Sequence, residues 1–184
     1  MLKWLIRRNL RAFERANGYD ASYLHEVLST DLGAFLKFAR ATKLNAYRKD
    51  APPDLYYAAQ LTSSVAGDCG PCTQLGVGFA LGSGVAPATV AAIIEGDEAA
   101  MSPEVALGVR FARAVLARDV AVDALREEIV RRWGPRAVLA LTFGVMASQL
   151  YPALKYALGH GQACTRVVIA GRAVAPRRLA VGAA

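Results

Sequence analysis

Proline at the front and glycine at the back of one apolar stretch after another is the feature that most constrains this chain. Pro87 opens a segment that stops at Gly96, Ser102-Pro103-Glu104 opens another, Gly134-Pro135 divides the next two, and Gly159 closes the last. Proline fits the first helical turn, where its missing N–H costs nothing, and glycine takes the left-handed stop. Between these marks the apolar residues recur at helical spacing, as in Leu107, Phe111, Ala114 and Val115, or Val122, Leu125, Ile129 and Trp133. The pattern predicts an all-α body. Leu24, Val27, Leu28, Phe35, Leu36 and Ala39 fit one face of a single helix over about 20–42. Asp68 is placed to cap a helix that starts at Cys69 and ends near Gly82 or Gly84.

Ala51-Pro52-Pro53-Asp54 separates an N-terminal helical extension, residues 1–50, from a core over 52–160. At 184 residues the whole fits one domain. Residues 161–184 carry Arg166, Arg172, Arg177 and Arg178 and no acid. Val167-Val168-Ile169 has strand propensity, but a lone run forms no sheet, so an extended basic arm lying on a neighbouring subunit is expected.

Hydrophobic residues make up 54% of the chain and charged ones 20%, which excludes intrinsic disorder. The net charge of +7 is unevenly placed, since residues 51–100 contain no Lys or Arg. Elsewhere the positive charge is dispersed without a nucleic-acid motif or a stacking pattern, so nucleic acid is not an expected partner. In the first segment Leu2, Leu5, Ile6, Leu10 and Phe13 oppose Arg7, Arg8, Arg11 and Arg15. This amphipathic helix suits packing on its own domain or a neighbour better than a membrane surface. The uncharged stretches 69–94 and 137–154 read as buried helices, with no integral span expected. No continuous apolar signal segment stands at the N-terminus, so the cytoplasm is the expected compartment.

Cys69-Gly70-Pro71-Cys72 is the chemical centre. Two cysteines at i and i+3 on a helix start face one side, and the N–H groups of that turn favour the thiolate. A reversible dithiol/disulfide couple is the favoured reading. Zinc needs about four ligands, and the chain adds only Cys164, His25 and His160, so no metal or cofactor is expected. Inert core cysteines and a structural disulfide are the other readings. A thioredoxin fold requires a strand before the motif, whereas Leu55–Ala66 reads as helix.

The run Asp68-Cys69-Gly70-Pro71-Cys72-Thr73-Gln74-Leu75-Gly76, with Ala80-Leu81-Gly82-Ser83-Gly84-Val85-Ala86-Pro87 after it, resembles the carboxymuconolactone decarboxylase and alkylhydroperoxidase D-like family. Glu95-Gly96-Asp97-Glu98 and Val109-Arg110-Phe111-Ala112-Arg113 extend the likeness over roughly 52–160. The resemblance implies an oligomeric all-α helical bundle. It also implies a thiol-dependent oxidoreductase working by disulfide exchange or weak peroxide reduction, with an external thiol reductant as partner. The peroxidase branch has a histidine four residues after the second cysteine and a glutamate about twelve before the first; here those positions hold Gly76 and Tyr57. Cys69, Cys72 and Tyr57 are therefore the candidate catalytic residues. Family position makes Cys72 the attacking thiol, while proximity to the helix-start N–H groups favours Cys69. A decarboxylase-like enzyme acting on a small lactone or keto-acid, and a non-catalytic member of the family, are the alternatives.

Other polar residues have blander readings. His160 suits a helix end, and His25 beside Glu26 a solvated face. Gln60 and Gln74 suit polar packing, and Cys164 a free thiol in the arm. Gly76 and Gly78 suit close helix packing, and Arg131, Arg132 and Arg136 a solvated junction.

Overall fold

The computed structural model describes residues 1–177. Nine α-helices are formed among them: α1 Leu2–Asn17, α2 Ser22–Thr30, α3 Leu32–Thr42, α4 Pro53–Ala66, α5 Gly70–Gly82, α6 Pro87–Glu95, α7 Pro103–Ala117, α8 Val122–Trp133 and α9 Pro135–Ala157. Short 3-10 turns at Lys43–Ala46 and Glu98–Ala100 and two strands, β1 Val167–Ile169 and β2 Arg172–Val174, complete them. The body is all α.

The punctuation places its helices where the sequence predicts. Pro53, Pro71, Pro87, Pro103 and Pro135 all stand in first turns, Gly96 stops α6 in the left-handed region (φ 67°), and the Ser102 side chain caps α7 by accepting from Val105 N–H at 3.3 Å. Within α4 the lack of Lys and Arg has a structural cause. Helix α4 runs through the middle, packed on α5, α7 and α9, with Leu55–Ala59 and Leu61–Val65 all buried. A cation there would lose its water without gaining a partner. Backbones meet closely around it: a Cβ on Gly108 of α7 would stand 2.7 Å from the Leu55 carbonyl oxygen, and one on Gly144 of α9 3.0 Å from the Tyr56 ring. Pro135–Ala157 is the one helix among the described residues long and apolar enough to cross a membrane, and here it packs against α4 and α8.

Three sequence expectations are corrected. The single helix over 20–42 is two, α2 and α3, broken at Asp31. Asp31 is extended (φ −150°, ψ 122°) and its carboxylate accepts from Ala34 N–H, so a local cap overrides an apolar face that runs through. Asp68 does not cap α5, because Cys69 is the N-cap. Asp68 itself is left-handed (φ 47°), accepts Cys164 N–H at 2.9 Å on its carboxylate and accepts the Tyr156 hydroxyl at 3.0 Å on its carbonyl.

The extended arm is the third. Val167 pairs with Val174 and Ile169 with Arg172 in an antiparallel hairpin that lies on α5 and α6 of the same chain, burying Val167, Ile169 and Val174. The turn is Ala170-Gly171, both with positive φ, so it lacked the Asn or Asp that signals this turn. Gln74 on α5 completes the β1 edge, receiving Val168 N–H at 2.7 Å and donating to Val168 O at 2.9 Å. Cys164 is therefore buried core and not a thiol on a free arm. Arg178 lies outside the described residues.

Candidate functional site: a cysteine pair opening on a cavity

Helices α4 and α5 are joined by Gly67, Asp68 and Cys69 and run antiparallel, with Tyr57 near the start of α4 bonded to Ser83 just past the end of α5 (2.8 Å). Cys69 is extended (φ −112°, ψ 98°) and Cys72 lies in the first turn, which brings their Cα atoms to 5.3 Å and their sulfurs to disulfide-bonding distance. The helix start offers these sulfurs less than the spacing implies. Gly70 N–H donates to Gln162 O at 3.0 Å, Pro71 has no N–H, and Thr73 N–H donates to Cys69 O at 2.9 Å.

The two cysteines differ in access. Cys69 is fully buried, whereas Cys72 is partly exposed and lines a cavity of about 670 Å³. The floor comes from one stripe of α4 (Tyr57, Gln60, Ser64), one face of α5 (Cys72, Gly76, Phe79) and α9 residues Ala147, Ser148 and Tyr151. The N-terminal extension supplies the roof, through Leu10 and Phe13 of α1 and Tyr19, Tyr23 and Leu24 around α2.

Tyr19 is the side chain that reaches Cys72: its hydroxyl stands 3.8 Å from Cys72 Sγ and 3.2 Å from the Tyr23 hydroxyl. With the Tyr23 proton on the Tyr19 oxygen, the Tyr19 proton is free to point at the sulfur. Burial pushes the Tyr19 phenol up to about 12 and Tyr23 further still, so both keep their protons at neutral pH. Beneath them lies Lys155, only 3% exposed, its Nζ 4.5 Å from the Tyr19 ring centroid and 4.8 Å from that of Tyr23. Burial depresses its ammonium below the usual lysine range, with Asp20 acting the other way.

Tyr57 is brought into the same cavity but to its other end, where its hydroxyl accepts from Arg48 Nη1 at 2.7 Å and meets Ser83 Oγ. Gly76 faces Gln60: a Cβ there would lie 3.3 Å from Gln60 Oε1, so the glycine gives the amide its place. Neither histidine lines the cavity. His25 bonds Glu14 (3.2 Å), not solvent alone, and His160 bonds Glu26 (2.7 Å) and Ser22 (3.2 Å), tying α1 and α2 to the body. Arg131 and Arg132 pair with Glu128, and Arg136 with Asp50. No group of three or more potential metal ligands is found among the described residues.

Tyr19, Arg48 and Lys155 were not singled out from the sequence. They lie far along the chain from the cysteines, and only the return of the N-terminal segment over α5 and the packing of α9 place them there. Comparison of the chain with family models, curated proteins and solved structures finds no match.

Proposed function

We propose that the protein is a thiol-dependent oxidoreductase in which Cys69 and Cys72 cycle between dithiol and disulfide. The observation that carries this reading is the pairing of bonding distance with unequal access: the sulfurs meet, and Cys72 alone of the two lines the cavity. In the reduced protein the Cys72 thiolate attacks a substrate disulfide, forming a mixed disulfide and releasing one substrate thiolate. Cys69 then displaces the second, so two electrons pass to the substrate and the intramolecular disulfide closes. With a hydroperoxide the same thiolate takes the distal oxygen, an alcohol leaves after gaining a proton, and the sulfenic acid condenses with Cys69 to release water. A small external thiol or dithiol restores the pair.

Cys72 as the attacking group agrees with its access and with the resemblance to the carboxymuconolactone decarboxylase and alkylhydroperoxidase D-like family. The family's oligomeric bundle, its disulfide chemistry and a cytoplasmic location, where a pair of this kind is more often redox-active than structural, belong to the same proposal. Tyr19 supplies a hydrogen bond to the Cys72 thiolate, and Lys155 adds positive charge nearby. Among the described residues no carboxylate or imidazole lines the cavity to shuttle a proton, which favours disulfide exchange over peroxide turnover.

A titration across glutathione or dithiothreitol buffers, with alkylation and intact-mass readout, tests the proposal. A two-electron couple assigned to Cys69 and Cys72 near cytosolic poise is expected; thiols that never oxidise, or a disulfide that no buffer reduces, overturn it. If a lactone or keto-acid activity were found and persisted after both cysteines became Ser, the decarboxylase-like alternative would replace it.

A further inference from the structure

Thiol exchange needs little more than an accessible sulfur, yet the cavity beside Cys72 has about 670 Å³, well inside the roughly 300–1,000 Å³ of small-molecule sites. Its polar groups are ordered along one axis. Because α4 and α5 are antiparallel, Arg48 and Tyr57 mark the Ser83 end, Gln60 the middle opposite Gly76, and Cys72 the far end. From Ser83 to Cys72 the rise of α5 spans about 16 Å at about 1.5 Å per residue. Between these points the walls are apolar: Leu10, Phe13, Leu24, Leu75, Phe79 and Tyr151.

Two of the polar groups have bonding capacity to spare. Gln60 Nε2 donates to Ser64 Oγ (3.1 Å) and Ser148 Oγ (3.2 Å). The Ser148 hydroxyl proton is engaged by Gly144 O at 2.8 Å, so its oxygen can only accept, which fixes the amide orientation. Gln60 Oε1 is then a buried acceptor, and it has no partner among the described residues. Among the described residues Arg48 is the one charged side chain lining the cavity, and no carboxylate among them lies within ion-pairing distance of it. Its Nε donates to Asn45 O at 3.2 Å and its Nη1 to Tyr57. The guanidinium lies over the Tyr56 and Tyr57 rings, 4.7 and 5.1 Å from their centroids. The Tyr56 hydroxyl takes a further hydrogen bond from the guanidinium, and the N–H donors left over are held in place for a ligand.

We infer that this cavity binds an elongated hydroxy-carboxylic acid of medium chain length. The carboxylate sits on Arg48 at the mouth, a hydroxyl near the head donates to Gln60 Oε1, and the apolar chain runs along α5 toward Cys72. The inference concerns binding alone and holds whether or not the cysteines turn over.

Calorimetric titration of the full chain, disulfide closed and no reductant present, tests it with 3-hydroxydecanoate, decanoate, decan-1-ol and decyl phosphate. Saturable binding is expected for 3-hydroxydecanoate, about tenfold weaker for decanoate and weaker again for the alcohol, since charge-assisted bonds to Arg are the strong ones. Arg48→Gln should weaken both acids by about tenfold or more. Gln60→Leu should erase the preference for the hydroxylated acid, bringing the two acids to equal affinity. Equal binding of alcohol and acid, or no saturable heat with any probe, overturns the inference, and tighter binding of decyl phosphate overturns the carboxylate assignment. The comparison of probes on the unaltered protein needs no variant to fold. Failure here would leave the redox proposal standing, because that is read by the titration of the cysteines.

Discussion

At Cys69 and Cys72 the chemistry turns on a difference in burial that three positions of sequence separation would not suggest. Once reduced, Cys72 should react with iodoacetamide at least about tenfold faster than Cys69, because only an accessible thiolate alkylates; peptide mapping of partially labelled protein measures the ratio. Tyr19→Phe removes the hydroxyl 3.8 Å from Cys72 Sγ, and the midpoint of the pH profile of Cys72 alkylation should move upward. Lys155 makes stability depend on pH. Burial lowers its folded pKa below the about 10.4 of an unfolded lysine, so between those values the unfolded chain holds more protons and stability rises with pH. Tyr19, Tyr23, Tyr56 and Tyr151 are shifted up by burial, so above about pH 10 the folded state holds more protons and stability falls. Urea denaturation on the alkaline side should therefore show a maximum, and Lys155→Met should flatten the rise while leaving the fall.

Among the elements, α4 carries the architecture, and the places where other helices touch it are the intolerant ones. Gly108→Ala would drive a methyl to 2.7 Å from a backbone oxygen and 2.9 Å from Ala58 Cβ, neither of which can swing away. A loss of about 1–3 kcal/mol by chemical denaturation is expected. The hairpin offers the opposite case. Ala170 occupies the left-handed region (φ 47°), where Asn is far better tolerated, so Ala170→Asn should stabilise by about 0.5–1 kcal/mol. The same fact explains why the hairpin was hidden in the sequence: a turn built on Ala-Gly carries half of the usual signal, and three-residue strands carry little periodicity. The break at Asp31 was hidden for another reason. A side-chain cap is a single hydrogen bond, and it left no gap in the apolar spacing that ran from Leu24 to Ala39.

For the molecule as a whole, the cavity exists because α1 and α2 close over a face of α5 that would otherwise meet solvent. Replacing Leu10 and Phe13 together with Ala should open that roof and speed Cys72 alkylation several-fold, with far-UV circular dichroism unchanged, since α1 has no fully buried residue. The helical body, most of its boundaries and the meeting of two cysteines at a helix start were set by local terms: proline and glycine geometry, apolar spacing, and an i, i+3 separation. Those act within a few residues and are written in order along the chain. The access of one sulfur and not the other, the Tyr19 hydroxyl beside it and the setting of the Gln60 amide against Ser148 depend on segments more than forty residues apart packing against one another. Linear order carries no record of which distant side chains share a desolvated space, and only the folded chain decided it.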